Sequence, residues 1–321
     1  MDLNQPILMD NRNLRQDVPD TNAFFAQTLQ EMERLPREGN LVTDPRIVTQ
    51  VPCPVCGDAG GDQLFVRAGF LIVQCPTCSH VYVKNRANED YLLGLYAASQ
   101  SEQAYRRIRA SDFHKRYWRA MHTKYLDYFK SLGCANRNVF DVGCGAGNFL
   151  DTCHETTDFD LYGLDFCEDS FDFITSVIGR DNYYFKQRIE DIDFGAKRFG
   201  LISLWGVLEH IVDPKSMLAR CAEIVADDGR IILLVPNLFS RAFKILGITT
   251  PTIYPRGHLH YYTQGSMKHL CDNAGLVIEH VCQELPVIDL MHPFIRYDDA
   301  LIQDILAKDE GYYHVYVLRK G

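Results

Sequence analysis

Asn138-Val139-Phe140-Asp141-Val142-Gly143-Cys144-Gly145-Ala146-Gly147-Asn148-Phe149-Leu150 is the stretch on which the reading of the chain turns. Val139, Phe140 and Val142 suit a short buried strand. Gly143, Gly145 and Gly147 let the backbone turn tightly and lie close to a ligand. The helix that starts after them would offer free N–H groups and the positive end of its dipole. A polar or anionic ligand is therefore expected at the carboxyl edge of a sheet.

Spacing narrows the ligand. A dinucleotide turn wants G-x-G-x-x-G, with its third glycine under a pyrophosphate. Here the run is G-x-G-x-G, and Asn148 stands where that third glycine would be. Asp141, two positions before the first glycine, would repel a phosphate and favour an ammonium group. An amino acid joined to a nucleoside fits better than a pyrophosphate. The stretch resembles motif I of the class I S-adenosylmethionine-dependent methyltransferases. That resemblance implies cofactor contacts from Asp141, Gly143, Gly145 and Gly147.

The chain beyond it is read in the same frame. Asp160 to Asp165 reads as a second strand ending in an acid 24 residues after Asp141 (165 − 141). Such a carboxylate can accept both ribose hydroxyls of a nucleoside, and Phe166 could lie on an adenine face. In the resembling family, the loop after the third strand reads the adenine. Here Glu190 and the backbone of Ile189 fit best, with Asp191 close behind, although Arg188 stands where an acid is often found. The run V-L-E-H-I-x-D-P from Val207 to Pro214, and D-G-x-x-x-x-x-V-P-N from Asp228 to Asn237, resemble motifs IV and V of small-molecule methyltransferases. Trp205, ending the fourth strand, joins the expected cofactor contacts. Pro214 opens a helix capped by Asp213 and expected to stop before Gly229. The alternation of strand and helix predicts an α/β, Rossmann-like sheet, mostly parallel with its last strand antiparallel.

Composition bounds the rest. The chain has 321 residues, 46% hydrophobic and 23% charged, enough for a sizeable core. Its net charge of −9 (33 basic, 42 acidic) argues against a general nucleic-acid binder. No apolar run approaches the ~20 residues that span a bilayer, and Met1 to Pro6 lacks a signal-peptide pattern. A cytoplasmic, non-membrane protein is expected.

Four of the eleven cysteines form two knuckles, Cys53-Pro54-Val55-Cys56 and Cys75-Pro76-Thr77-Cys78, separated by eighteen residues. Two C-x2-C knuckles joined by a hairpin make a tetrahedral thiolate site. A structural zinc ribbon over 51–84 is expected; four thiolates leave no open catalytic position. His80 is an alternative ligand or packs beside the ribbon. The other cysteines (Cys134, Cys144, Cys153, Cys167, Cys221, Cys271, Cys282) read as small buried side chains.

Around this ribbon, residues 1–50 read as a polar tail with one amphipathic helix from Asn22 to Leu35. Residues 85–133 read as a helical linker or cap, whose Tyr105 and Tyr117 are pocket candidates. A methyltransferase domain fills 134–321, with an insertion at 239–262 where substrate contacts belong; Pro286 to Asp309 would add a further wall. Candidate substrate residues are Asn237, Tyr254, His258, His260 and Tyr261. Candidate proton acceptors are His210, His258 and His260, with Glu209 beside them. Ile253 to Tyr261 is similar to a run in zinc-bearing C-methyltransferases of nucleotide-linked deoxysugars, but Gly257 replaces that run's acid. The expected activity is methyl transfer from S-adenosylmethionine to an O, N or C atom of a small molecule in natural-product, carbohydrate or related metabolism. The alternatives are a nicotinamide-dependent oxidoreductase, disfavoured by Asp141 and Asn148, and a zinc-ribbon adaptor with a regulatory adenosylmethionine pocket.

Overall fold

The structure is a computed structural model that describes residues 3–9, 13–166, 168–286, 289–291, 295 and 297–321. Cys167 and parts of the tail and of the 286–309 segment lie outside the described residues. An eight-stranded sheet forms the centre. Its order is Leu8–Met9, Leu276–Pro286, Tyr313–Lys320, Val225–Pro236, Phe199–Trp205, Asn138–Val142, Asp160–Asp165, Tyr183–Phe185. Only Tyr313–Lys320 runs against its neighbours. Phe199–Trp205 is buried along its whole length, which is why it reads as an unbroken apolar run rather than an alternating one.

Helices cover both faces. Asp112–Ser131, Asn148–Thr156 and Phe171–Ile178 pack on one side through Tyr125, Phe129, Phe149 and Ile174. Pro214–Ile224 and Gln264–Asn273 cover the other through Leu218, Met267 and Leu270. Cys53, Val55, Val73 and Tyr82 of the ribbon belong to that second cluster, so the ribbon is packed into the catalytic core. Its own sheet has four strands: Asp62–Arg67, Phe70–Gln74, Val81–Val83 and, from the insertion, His260–Tyr261.

The structure shifts several expected boundaries. The first long helix is Asp20–Glu33, preceded by Pro19 with no side-chain cap. The helical stretch after the ribbon is broken into Glu89–Ala98, Gln100–Ala110 and Asp112–Ser131. Its breaks fall where the Ser99 and Ser111 side chains accept the Glu102 and His114 N–H groups in the first turn of the next helix. The helix opened by Pro214 ends at Ile224, before Gly229 is reached, because Val225 already pairs with Phe199 in the sheet. Gly229 instead lies at a register shift in that strand, where an added Cβ would sit 2.8 Å from the Gly200 carbonyl oxygen.

The amino-terminal segment is tied into the body. Leu8–Met9 adds a parallel edge strand to Leu285 and Pro286. Glu31, on the Asp20–Glu33 helix, accepts from the Ser101 N–H at 3.1 Å and the Arg256 guanidinium at 2.8 Å.

Candidate active site

The glycine turn sits where strand order reverses, between Asp160–Asp165 and Phe199–Trp205, the usual crevice for a ligand in an open α/β sheet. Gly143 and Gly145 have φ of 70° and 54°, conformations that side-chain-bearing residues rarely adopt. A Cβ on Gly143 would meet Val207 at 2.6 Å. One on Gly145 would meet the Arg109 guanidinium at 3.2 Å. Asp165 Oδ2 accepts the Gly145 N–H at 2.6 Å and so ties the second strand to the turn.

Above the turn opens a cavity of about 1160 Å³. Single-ligand pockets hold roughly 300–1,000 Å³, so there is room for a cofactor and a second molecule. Gly143, Gly145, Asp165, Phe166, Ile189 and Glu190 line one part of it. Arg109 lines it too, and its buried Nε has no hydrogen-bond partner. An unpaired Nε–H on a guanidinium over a glycine cradle fits the carboxylate of an amino-acid ligand. Sequence reading missed Arg109 because it lies on a helix 36 residues before Gly145 (145 − 109), outside any glycine motif.

The other part of the cavity is lined by Tyr105, Tyr117, His210, Tyr254 and His258. Phe24, Leu29, Met32 and Phe113 add an apolar wall, much of it from the Asp20–Glu33 helix. His210 follows Val207, the residue against Gly143, and its N–H donates to the Val207 carbonyl at 2.9 Å. Its ring Nδ1 lies 3.0 Å from the Gly257 carbonyl oxygen and 3.0 Å from the Tyr96 hydroxyl. His258 Nδ1 lies 2.8 Å from the Thr252 carbonyl oxygen. A carbonyl only accepts, so both Nδ1 atoms carry hydrogen and both Nε2 lone pairs are left free. Burial pushes His210 well below the usual imidazole range and His258 down to about 4. Buried Glu209 is pushed up to about 8, and its Oε2 has no partner. One ligand atom from each of Glu209, His210 and His258 lies within 4.8 Å of the others, a set that can take a proton or close on a cation.

Several sequence candidates stand outside the cavity wall. Asp141 is buried and accepts the Ser203 hydroxyl at 2.7 Å from the neighbouring strand. Burial drives its carboxyl up to about 7, with the Asp165 charge adding to the rise and Arg109 opposing it. Gly147 caps the Asn148–Thr156 helix and faces Phe173 and Ile174. Trp205 turns into the helix layer against Trp118, His122 and Phe149. Asn237 braces the chain by donating to the Asp309 and Gly311 carbonyls. Tyr261 is buried in a small cluster with Ile72 and Val81. His260 donates from Nε2 to the Ile211 carbonyl at 2.8 Å, and its Nδ1 meets His80 Nε2 at 3.1 Å. With Nε2–H of His260 committed, its Nδ1 accepts from His80. Both rings are held neutral by burial, so this pair joins the ribbon to the insertion and does not face the cavity.

At the ribbon, the Cys53 and Cys78 sulfurs lie 3.5 Å apart, as do those of Cys56 and Cys75. Four sulfurs on a Zn–S radius of ~2.3 Å would stand slightly farther apart, so the cage suits a tetrahedral thiophilic cation.

Residues 113–281 match the methyltransferase domain family. The tRNA U34 carboxymethyltransferase of Sulfurimonas denitrificans is 32% identical over 220 residues, 64% of this chain and 73% of that protein. The ubiquinone biosynthesis O-methyltransferase of Aromatoleum aromaticum is 25% identical over 162 residues, 47% of this chain and 69% of that protein. The fold is shared with magnesium protoporphyrin IX methyltransferase from Synechocystis PCC 6803, solved with S-adenosylhomocysteine. Its TM-score is 0.51 at 13% identity, covering 73% of this chain and 100% of that one. With the glycine turn at the switch point, the acid ending the second strand and the matched domain spanning both, the chain belongs to the class I S-adenosylmethionine-dependent methyltransferases.

Proposed function

We propose that the protein methylates a hydroxyl group of a small, largely apolar molecule, with His258 and His210 receiving the proton. Support comes chiefly from one observation: two imidazoles whose Nδ1–H groups are held by backbone carbonyls line the cavity beside the glycine turn. Asp165, Ile189 and Glu190 would hold the adenosyl part of the cofactor, Gly143 and Gly145 would close on its methionine part, and Arg109 would take its carboxylate. Asp141 would brace the turn from behind, through the hydrogen bond it accepts from Ser203.

The cofactor supplies an electrophilic methyl on sulfonium. The acceptor oxygen forms the new O–C bond as the C–S bond breaks, S-adenosylhomocysteine leaves, and the hydroxyl proton passes to an imidazole Nε2. Alignment of oxygen, carbon and sulfur accounts for much of the rate, and proton acceptance adds to it. The relatives from ubiquinone biosynthesis are named as O-methyltransferases, in line with this reading. The tRNA enzyme among the relatives points elsewhere, but a chain of net charge −9 is poorly suited to holding a polyphosphate backbone. The test is incubation with methyl-labelled S-adenosylmethionine and a panel of phenols and aliphatic alcohols. Label in an ether product is expected; label only in amines or carbon acids would refute the hydroxyl assignment.

We also propose that Cys53, Cys56, Cys75 and Cys78 hold a structural Zn2+. Metal analysis of the purified chain should give one zinc per molecule, and Cys56→Ser should lose it and fall out of solution. A soluble, fully active Cys56→Ser protein would remove the structural role. At the turn, Gly143→Ala should weaken S-adenosylhomocysteine binding at least about tenfold in calorimetry, since it meets both a positive φ and the Val207 side chain.

A further inference from the structure

Arg67, Arg106, Arg109, Lys186 and Arg188 all line the cavity. Arg106 pairs with Asp169, Lys186 with Glu168 and Arg188 with Glu89. Arg109 lies at the glycine turn. Arg67 remains. It ends the ribbon strand Asp62–Arg67, yet its side chain lines the catalytic cavity. Its one hydrogen bond among the described residues runs from Nη1 to the Thr250 carbonyl at 3.1 Å, and no carboxylate pairs with it there. Burial lowers its pKa, opposed only by Tyr261.

One further polar group on the cavity wall is unsatisfied. Thr252, two residues beyond the Thr250 carbonyl, lines the same cavity with a buried hydroxyl that has no partner. A half-buried cation and an orphaned hydroxyl are costly unless something completes them. An anionic group on the ligand would complete both. A single guanidinium compensates a single charge, and its flat fork matches a carboxylate.

We propose that Arg67, with the Thr252 hydroxyl, binds a carboxylate on the methyl acceptor. This deepens the reading above: the acceptor is an apolar hydroxy acid, held by its carboxylate at Arg67 while its hydroxyl faces His210 and His258. The ribbon then supplies a specificity residue to the transferase as well as support.

Calorimetry on the zinc-containing full chain loaded with S-adenosylhomocysteine tests it. The probes are para-hydroxybenzoate, para-hydroxycinnamate and ω-hydroxylaurate, their methyl esters, and phenyl phosphate. At least one acid should bind, with its ester weaker by about tenfold or more. Arg67→Gln, which can still donate to Thr250, should erase that difference while leaving S-adenosylhomocysteine affinity and zinc content unchanged. Arg67→Lys should restore part of it. Equal binding of acid and ester, no binding by any acid at millimolar concentration, or an acid preference that survives Arg67→Gln would overturn the proposal. Tighter binding of phenyl phosphate than of every acid would overturn the carboxylate assignment. If S-adenosylhomocysteine itself fails to bind, it is the methyltransferase site that has been misassigned.

Discussion

Asp165→Ala is expected to lower affinity for S-adenosylhomocysteine by at least about 100-fold, because two contributions vanish together. Asp165 ends the second strand at the cavity wall, where its carboxylate would accept the ribose hydroxyls, and charged hydrogen bonds of this kind are worth roughly 1.5–3 kcal/mol each. The same carboxylate holds the Gly145 N–H at 2.6 Å, so its loss also frees the turn that must close on the methionine end. Asp165→Asn keeps an oxygen for Gly145 but no charge, and should fall between the two. Calorimetry reads the affinities, and circular dichroism confirms that the folds match. An alanine variant that binds within about threefold of the parent would show that the nucleoside lies elsewhere.

His258→Ala should cut kcat by about 10² to 10⁴, the usual range for a positioned proton acceptor, with S-adenosylhomocysteine affinity unchanged. His258 lines the cavity, and its ring packs against His210, Tyr254 and Tyr261 rather than against a residue named at the cofactor end. With its pKa down near 4 by burial, the ring stays in the accepting form across neutral pH. The acid limb of kcat should therefore lie below the imidazole range, near pH 4 to 5. Glu209 and His210 stand beside it, so the limb belongs to the cluster and not to one ring. His210→Ala tests the division of labour: a loss as large as that of His258→Ala would mean that the rings act as a unit, and a loss in neither would remove proton transfer from the reaction.

Much of this architecture was legible because it is local. Strand Asp160–Asp165 begins and ends where its sequence pattern says, and the helix opened by Asp213-Pro214 starts at its cap. The cysteine knuckles converge because their spacing leaves them little else to do. What the sequence does not show depends on partners distant in it. Asp141 points between strands because Ser203 waits in the register opposite it. Trp205 turns into the helix layer because Trp118, His122 and Phe149 form an aromatic nest there. His258 and His260 are close in the chain, but His258 lies in the loop before the strand and His260 within it, where the Ile211 carbonyl and His80 hold its ring. Arg67 and Arg109 carry no motif at all; a lone arginine becomes informative only once its missing counterion can be seen.

The strand His260–Tyr261 has two owners. It follows the loop that presents His258, and it closes the edge of the cysteine-bearing sheet through Tyr82 and Val81. Trimming the chain to the glycine-turn half alone would strip that edge of its neighbour and leave an open hydrogen-bonding row, a known route to aggregation. It would also uncover an imidazole meant to stay dry. The two halves thus share one fate in folding, and domain-swapping engineers should expect neither to survive by itself.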